Sequence, residues 1–315
     1  MDQLPDALAL DPEDRRMGGG VRRLNGGMVM IVDCHVNIFN ADQFSPPDVD
    51  LSGGARPGGV AMSADADTLY SAMSEVDRAI IFSLRYKDSV GVDGDDEVTA
   101  AAVAKYPDKF VGFACVDPRR PDCMELLQHA IGTLKLKGVK FGPIYNSVPL
   151  DDPRLDPVYA YCQKNDLPLT MHMGTTFARD TLLDAGRPIH VDAVAQRFPD
   201  LKMVMAHMGH PWVDECIVVA RKRPNVYTEV SALCYRPWQF YQALVSAQEY
   251  LIADRNKIFW GTDFPFAQVK ESIDGLRDIN RLVEGTHLPR VSQETIDAIL
   301  HSNPFDHWWH APLSV

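Results

Sequence analysis

Short apolar runs recur along the chain, each closed by a turn residue or a polar side chain, and between them lie stretches whose apolar positions follow a helical period. Runs that are apolar throughout, with no alternation, are what strands covered on both faces require. The pattern predicts strands at about 28–34, 77–84, 110–116, 137–142, 167–173, 201–208, 226–231 and 257–263. Helices are expected over 65–74, 95–106, 121–136, 156–165, 189–198, 212–223, 238–252 and 269–283, with a final one over 292–301. Several stop at proline turns, Tyr106-Pro107-Asp108, Phe198-Pro199-Asp200 and Arg223-Pro224-Asn225, each just before the next strand. Strand and helix alternating in this way make parallel βαβ units, and eight of them predict an α/β, single-domain (β/α)8 TIM barrel.

The barrel is expected to occupy residues 28–315, after an acidic, glycine-rich arm at 1–27. One connection, about 38–64, is too long for an ordinary βα loop and contains Ser45-Pro46-Pro47, Gly53-Gly54 and Pro57-Gly58-Gly59. Its place directly after the first strand suggests a lid.

At 315 residues, with 46% hydrophobic and 23% charged residues, the composition suits a large folded core and excludes disordered or collagen-like classes. No apolar stretch reaches the length of a membrane span, and the first residues lack a secretory pattern, so a cytoplasmic protein is expected. Six cysteines without C-x-x-C spacing read as reduced, buried thiols. A net charge of −12 opposes binding to nucleic acid or an anionic membrane, while leaving room for a small carboxylate substrate held by a local arginine.

The chemistry gathers where strands should end. His35, Asn37, His172, His207 and Asp263 each fall at the carboxyl end of a predicted strand, the face on which barrel enzymes assemble their sites. Together they suit one divalent ion, held by His35, Asn37, His172 and Asp263, with zinc favoured and manganese or magnesium as options. Asn37 would offer only an amide oxygen, weak for zinc and better for a harder ion. His207 is cast as the general acid/base, because imidazole titrates near neutrality; Asp263 could also take a proton from metal-bound water. His210 either points into the cleft or caps the next helix. Lys140, at the end of the fourth strand, could anchor substrate, bridge metals as a carbamate, or pair with Glu229, and pairing is the plainest reading. Arg85, Arg179, Arg187 and Arg236 follow strands and could grip a carboxylate; Arg236 joins His210 and Lys140 as the expected substrate-binding set.

Five motifs in order, Asp33-Cys34-His35-Val36-Asn37, Gly138-Val139-Lys140-Phe141-Gly142-Pro143, Leu169-Thr170-Met171-His172-Met173-Gly174, Ala206-His207-Met208-Gly209 and Gly261-Thr262-Asp263-Phe264-Pro265, resemble the amidohydrolase-related family. That branch includes aminocarboxymuconate semialdehyde decarboxylase, resorcylate-type decarboxylases and lactone hydrolases. The resemblance implies a (β/α)8 barrel with one ion held by the first motif, His172 and Asp263, and His207 serving the reacting water or substrate. Many members carry His-x-His in the first motif, where this chain has His35-Val36-Asn37. The leading expectation is a metal-dependent hydrolase of a lactone, ester or amide in a small carboxylate-bearing substrate. The alternatives are a non-oxidative decarboxylase of an aromatic or unsaturated acid, and a metal-free binding protein on the same barrel. A homodimer is a further expectation, with the arm and the Trp308-Trp309 tail packing across it.

Overall fold

A computed structural model describes residues 22–24, 27–40, 43, 56, 64–251 and 255–310. Most of the arm and of the long connection after the first strand, and with it the expected lid, lies outside the described residues.

Eight strands form one sheet in which every neighbouring pair runs parallel. They are β1 (Val32–Asn37), β2 (Arg78–Phe82), β3 (Phe110–Val116), β4 (Val139–Phe141), β5 (Leu169–Met171), β6 (Met203–Met205), β7 (Val226–Glu229) and β8 (Ile258–Phe259). The sheet order follows the chain order, as right-handed βαβ crossovers produce. Between and after the strands come α1 (Ala66–Ala72), α2 (Asp96–Lys105), α3 (Cys123–Gly132), α4 (Asp156–Lys164), α5 (Val191–Arg197), α6 (Val213–Lys222), α7 (Pro237–Tyr250) and α8 (Val269–Arg277), then α9 (Gln293–His301). All eight predicted strands and nine predicted helices are present, mostly shortened at their ends. The first strand is the main displacement: Gly27–Val29 pairs antiparallel with Arg22–Leu24, so the barrel strand begins only at Val32.

The barrel closes where β1 meets the segment after β8. Val36 bridges Phe264 in parallel register, and three backbone bonds lace the seam: Cys34 N–H to Trp260 O at 3.2 Å, Asn37 N–H to Phe264 O at 3.0 Å, and Asp263 N–H to His35 O at 2.8 Å.

Alternate side chains of each strand serve two cores. One face packs outward on the helices, through residues such as Ala79, Ile81, Met203 and Met205; the other fills the barrel interior, through Val32, Cys34, Ile80, Phe82 and Phe113. The interior core is sealed at the amino-terminal end by the chain's own tail. Trp308 lies 5.1 Å from Phe259 and Trp309 lies 6.1 Å from Phe113, centroid to centroid, and both tryptophans are buried. The tail expected to be exposed for a dimer contact is therefore a plug within the chain, because the barrel bottom offers an apolar socket. Among the described residues no helix is long and apolar enough to cross a membrane.

Candidate active site

β1 is irregular where it matters. Asp33 aligns with Ala79 and Val36 with Ile81, so Cys34 and His35 together stand opposite Ile80 alone. Such a bulge re-aims the side chains that follow it, and here it lets His35 and Asn37 line the cavity although Cys34 belongs to the interior core. His172 follows directly on β5. His207 and Asp263 sit beyond β6 and β8 with φ of 56° and 64°, left-handed conformations that cost non-glycine residues energy and are commonly kept for function.

These side chains converge on a cavity of about 220 Å³ at the carboxyl ends of the strands. His35, Asn37, Lys140, His172, His207, His210, Arg236 and Asp263, which together make up the whole sequence-derived set, line it. Of the other arginines considered, Arg85 is paired with Asp96 at 2.9 Å and Arg187 with Glu215, and neither lines the cavity.

Each of the three strand-end imidazoles has its outer nitrogen anchored to an acceptor. His35 Nδ1 lies 2.8 Å from Glu229 Oε1, His172 Nε2 lies 3.1 Å from Thr175 O, and His207 Nδ1 lies 2.8 Å from Ser231 Oγ and 3.2 Å from Ser231 O. A neutral imidazole whose one N–H is spent outward presents a lone pair on its other nitrogen. Burial holds all three well on the neutral side: it is the largest cause for each, lowers His172 to about 3, and is reinforced by Lys140. The inward lone pairs of His172 (Nδ1) and His207 (Nε2) are only 3.1 Å apart. His35 Nε2 lies 3.4 Å from Asp263 Oδ1 and 3.0 Å from Lys140 Nζ, which donates to it.

That donor set fits a divalent ion. Bonds of about 2.1 Å place neighbouring ligand atoms roughly 3.0–3.4 Å apart, and ligating histidines characteristically give their other N–H to a carboxylate or carbonyl. His35, His207 and Glu229 also form a group whose possible ligand atoms lie within 4.8 Å of one another. Glu229, however, already takes four donors, three of them on Oε1. Its Oε1 accepts from His35 Nδ1, from His207 N–H at 3.0 Å and from Ser231 Oγ at 2.9 Å, and its Oε2 accepts from Ser231 N–H at 2.5 Å. A carboxylate with about four acceptor positions so occupied orients its neighbours rather than holding an ion.

Two placements differ from the plain sequence reading. Lys140 does not pair directly with Glu229; His35 stands between them, hydrogen-bonded to both. Lys140 is buried, lies 4.6 Å above the Phe82 ring, and is lowered to about 8, chiefly by burial, against the pull of Asp263 and Glu229. Asn37 turns its amide nitrogen to the site, donating to Asp263 Oδ1 at 2.8 Å and Phe264 O at 2.9 Å. Burial raises Asp263 to about 7, with Asn37 and Lys140 pulling the other way.

The walls are aromatic. Tyr86 and Tyr145 stack at 4.7 Å, Tyr145 lies 4.6 Å from His172, and Arg236 lies over Tyr235 at 4.6 Å. Sequence reasoning passed over Glu229 as anything but a Lys140 partner, and over Ser231 and both stacked tyrosines. Glu229 and Ser231, both within the last three residues of the predicted strand 226–231, carried a usable signal.

Residues 32–306 match the amidohydrolase family. The chain belongs to that family. Among curated proteins, this amidohydrolase is 25% identical over 194 residues to 2-amino-3-carboxymuconate-6-semialdehyde decarboxylase of Dictyostelium discoideum, covering 53% of this chain and 54% of the relative, so it spans about half the length of that protein. Among solved structures it resembles an uncharacterised TIM-barrel protein of Bordetella bronchiseptica at 26% identity, with TM-score 0.66 over 87% of this chain and 96% of that one. It also resembles 2,6-dihydroxybenzoate decarboxylase from Rhizobium, at 17% identity, TM-score 0.62, and coverage of 89% and 99%. A 5-carboxyvanillate decarboxylase from Novosphingobium aromaticivorans with bound manganese shares 15% identity, TM-score 0.61, and coverage of 89% and 97%. At such identities the last two speak for the fold alone. The chain is thus an amidohydrolase-family enzyme on a (β/α)8 barrel, with a histidine-rich cluster whose geometry suits a metal ion.

Proposed function

We propose that this amidohydrolase is a metal-dependent, non-oxidative decarboxylase of a small aromatic or unsaturated carboxylic acid. The observation that carries the reading is the pairing of aromatic walls with cationic side chains around inward imidazole lone pairs. Tyr86, Tyr145, Tyr235 and Phe177 line the same cavity as Arg236 and Lys140. A flat acid can stack on the rings while a guanidinium fork holds its carboxylate. The decarboxylase name of its Dictyostelium relative supports the same choice.

His35, His172 and Asp263 would hold the ion, and Asn37 steadies the Asp263 carboxylate. Imidazole and carboxylate donors suit zinc or manganese. When bound, the ion supplies a fixed positive charge that steadies the electron pair left as CO2 departs. The carbon–carboxylate bond breaks, CO2 leaves, and the carbon takes a proton from His207, which regains one from solvent. His207 Nε2 carries no proton at rest, so the one it passes to carbon is first taken up from solvent, and burial makes that proton acidic, the property a donor to carbon needs. Arg236, His210 and Lys140 hold the carboxylate end.

A second reading, hydrolysis of a lactone, ester or amide, rests on Asp263, whose carboxyl near pH 7 suits taking a proton from water. The test is a panel of hydroxybenzoates, muconate-type acids and aryl lactones with the manganese- or zinc-loaded enzyme. CO2 release from an acid, lost in His207→Gln, supports decarboxylation. Ring opening of a lactone without CO2 would reverse the order, and neither activity together with no metal uptake would leave a binding protein.

A further inference from the structure

We infer that Glu229 is a positioning residue that sets the tautomers of two site imidazoles at once, His35 directly and His207 through the Ser231 hydroxyl. The inference deepens the proposed metal reading and rests on it for its consequence in affinity.

Protons can be traced without ambiguity of direction. Glu229 is completely buried and its oxygens can only accept, so the contact at 2.8 Å must be a His35 Nδ1–H donating to Oε1. Ser231 Oγ lies 2.9 Å from the same Oε1 and 2.8 Å from His207 Nδ1. With its one proton given to Glu229, the hydroxyl can only accept from His207, which places the second imidazole proton on Nδ1 as well. The Ser231 carbonyl at 3.2 Å reinforces that choice. Two further donors, the backbone N–H groups of His207 and Ser231, fix the carboxylate itself. Both imidazoles are thereby left with a lone pair on Nε2: that of His207 faces the cavity, and that of His35 accepts from Lys140 Nζ at 3.0 Å, a contact an incoming ion would replace. A resting proton on His35 Nε2 would block a metal, and one on His207 Nε2 would stop that ring from taking up a proton from solvent.

The arrangement has a local cause. Glu229 closes β7, and Ser231 follows two residues later, so strand periodicity sets both side chains on the inner side of the barrel, buried behind the imidazoles. His207 leaves β6 in a left-handed turn, φ 56°, which brings its own N–H onto the Glu229 carboxylate. The neighbouring strand thus supplies the orienting carboxylate, and the sharp turn supplies the imidazole.

The test uses the full chain, uniformly labelled with nitrogen-15 and stripped of metal, with ring signals of His35 and His207 assigned from single His→Gln variants. In the parent protein both rings are expected as the Nδ1–H tautomer. In Glu229→Gln the amide nitrogen must face one of the former donors; the His207 ring is expected to shift toward Nε2–H or a mixture, and the His35 ring, still facing Lys140 at Nε2, to shift less. Zn2+ affinity, measured by calorimetry, should fall about 10- to 100-fold, the usual effect of removing an orienting partner. Ser231→Ala should move the His207 signals and leave those of His35 in place, which keeps the test alive if Glu229→Gln does not fold. A parent chain that binds no Zn2+ would overturn the metal reading while the tautomer signals still judged Glu229. Unchanged tautomers in both variants would overturn the positioning role, even with a lowered melting temperature. Complete loss of Zn2+ in Glu229→Gln with unchanged tautomers would make Glu229 a ligand instead.

Discussion

His172 and His207 face each other through bare nitrogens, Nδ1 to Nε2, at 3.1 Å, while their outer nitrogens are held by Thr175 and Ser231. Two lone pairs at that distance repel unless a proton lies between them or a cation held by His172 stands beside them. Burial disfavours a second proton on either ring, and the Ser231 contacts put the one proton of His207 on Nδ1. The purified chain is therefore expected to carry close to one equivalent of manganese or zinc, and His172→Ala to carry almost none. Elemental analysis by mass spectrometry checks this, and a parent protein that stays empty after incubation with both ions would refute it.

Asn37 is expected to matter to Asp263 more than to the metal. Its amide nitrogen is already committed to the Asp263 carboxylate and the Phe264 carbonyl. Asn37→Ala should keep the metal stoichiometry and destabilise the fold by about 1–3 kcal/mol, the usual range for a lost buried hydrogen bond with a charged partner. Urea unfolding beside metal analysis separates the two effects; loss of metal without loss of stability would count the amide as a ligand.

Asp33 gives a pH signature. Its carboxyl is buried and raised from 3.8 to about 7, chiefly by burial, although Thr262 and the His35 N–H bond to it. Between pH 4 and 7 the folded chain keeps a proton there that the unfolded chain has released. Stability from this group is complete below pH 4 and is lost as pH rises through 7, by at most about 4 kcal/mol at 1.36 kcal/mol per pKa unit. Metal-free parent and Asp33→Asn, unfolded in urea at pH 4.5 and 7.5, should differ in pH dependence by that term, with the parent falling more steeply. Parallel curves would remove the raised carboxyl.

Gly142 leaves space for the aromatic wall. A Cβ there would stand 2.6 Å from Tyr86 Cζ and Oη, and Tyr86 carries Tyr145, which lies against His172. Gly142→Ala is expected to cost about 1–3 kcal/mol through overpacking and to lower turnover with metal content unchanged. Unaltered turnover and melting temperature would show that the wall can yield freely.

Much of this was legible in the sequence, for specific reasons. Parallel strands buried on both faces leave apolar runs, and proline turns such as Phe198-Pro199-Asp200 mark the helix ends, so the barrel could be counted. The cavity residues were visible because barrel chemistry lies at strand ends. What escaped depended on register and on contacts between distant positions. The bulge at Cys34-His35 cannot be read from alternation, and Gly27–Val29 has the composition of the strand it precedes. Ser231 is an ordinary serine until the fold brings it to His207, and the direction in which Asn37 turns its amide is set by Asp263, 226 residues away.

The seam of the barrel runs through the site itself. His35 and Asn37 stand on one lip and Asp263 on the other, and the bonds from Asp263 N–H to His35 O and from Asn37 N–H to Phe264 O stitch them together. Whatever ties these side chains together also acts as a clasp between the first and last strands. Occupancy of the site should then be felt as slowed hydrogen exchange at the amides of Cys34, Asn37 and Asp263, with the staves on the far side of the barrel indifferent to it.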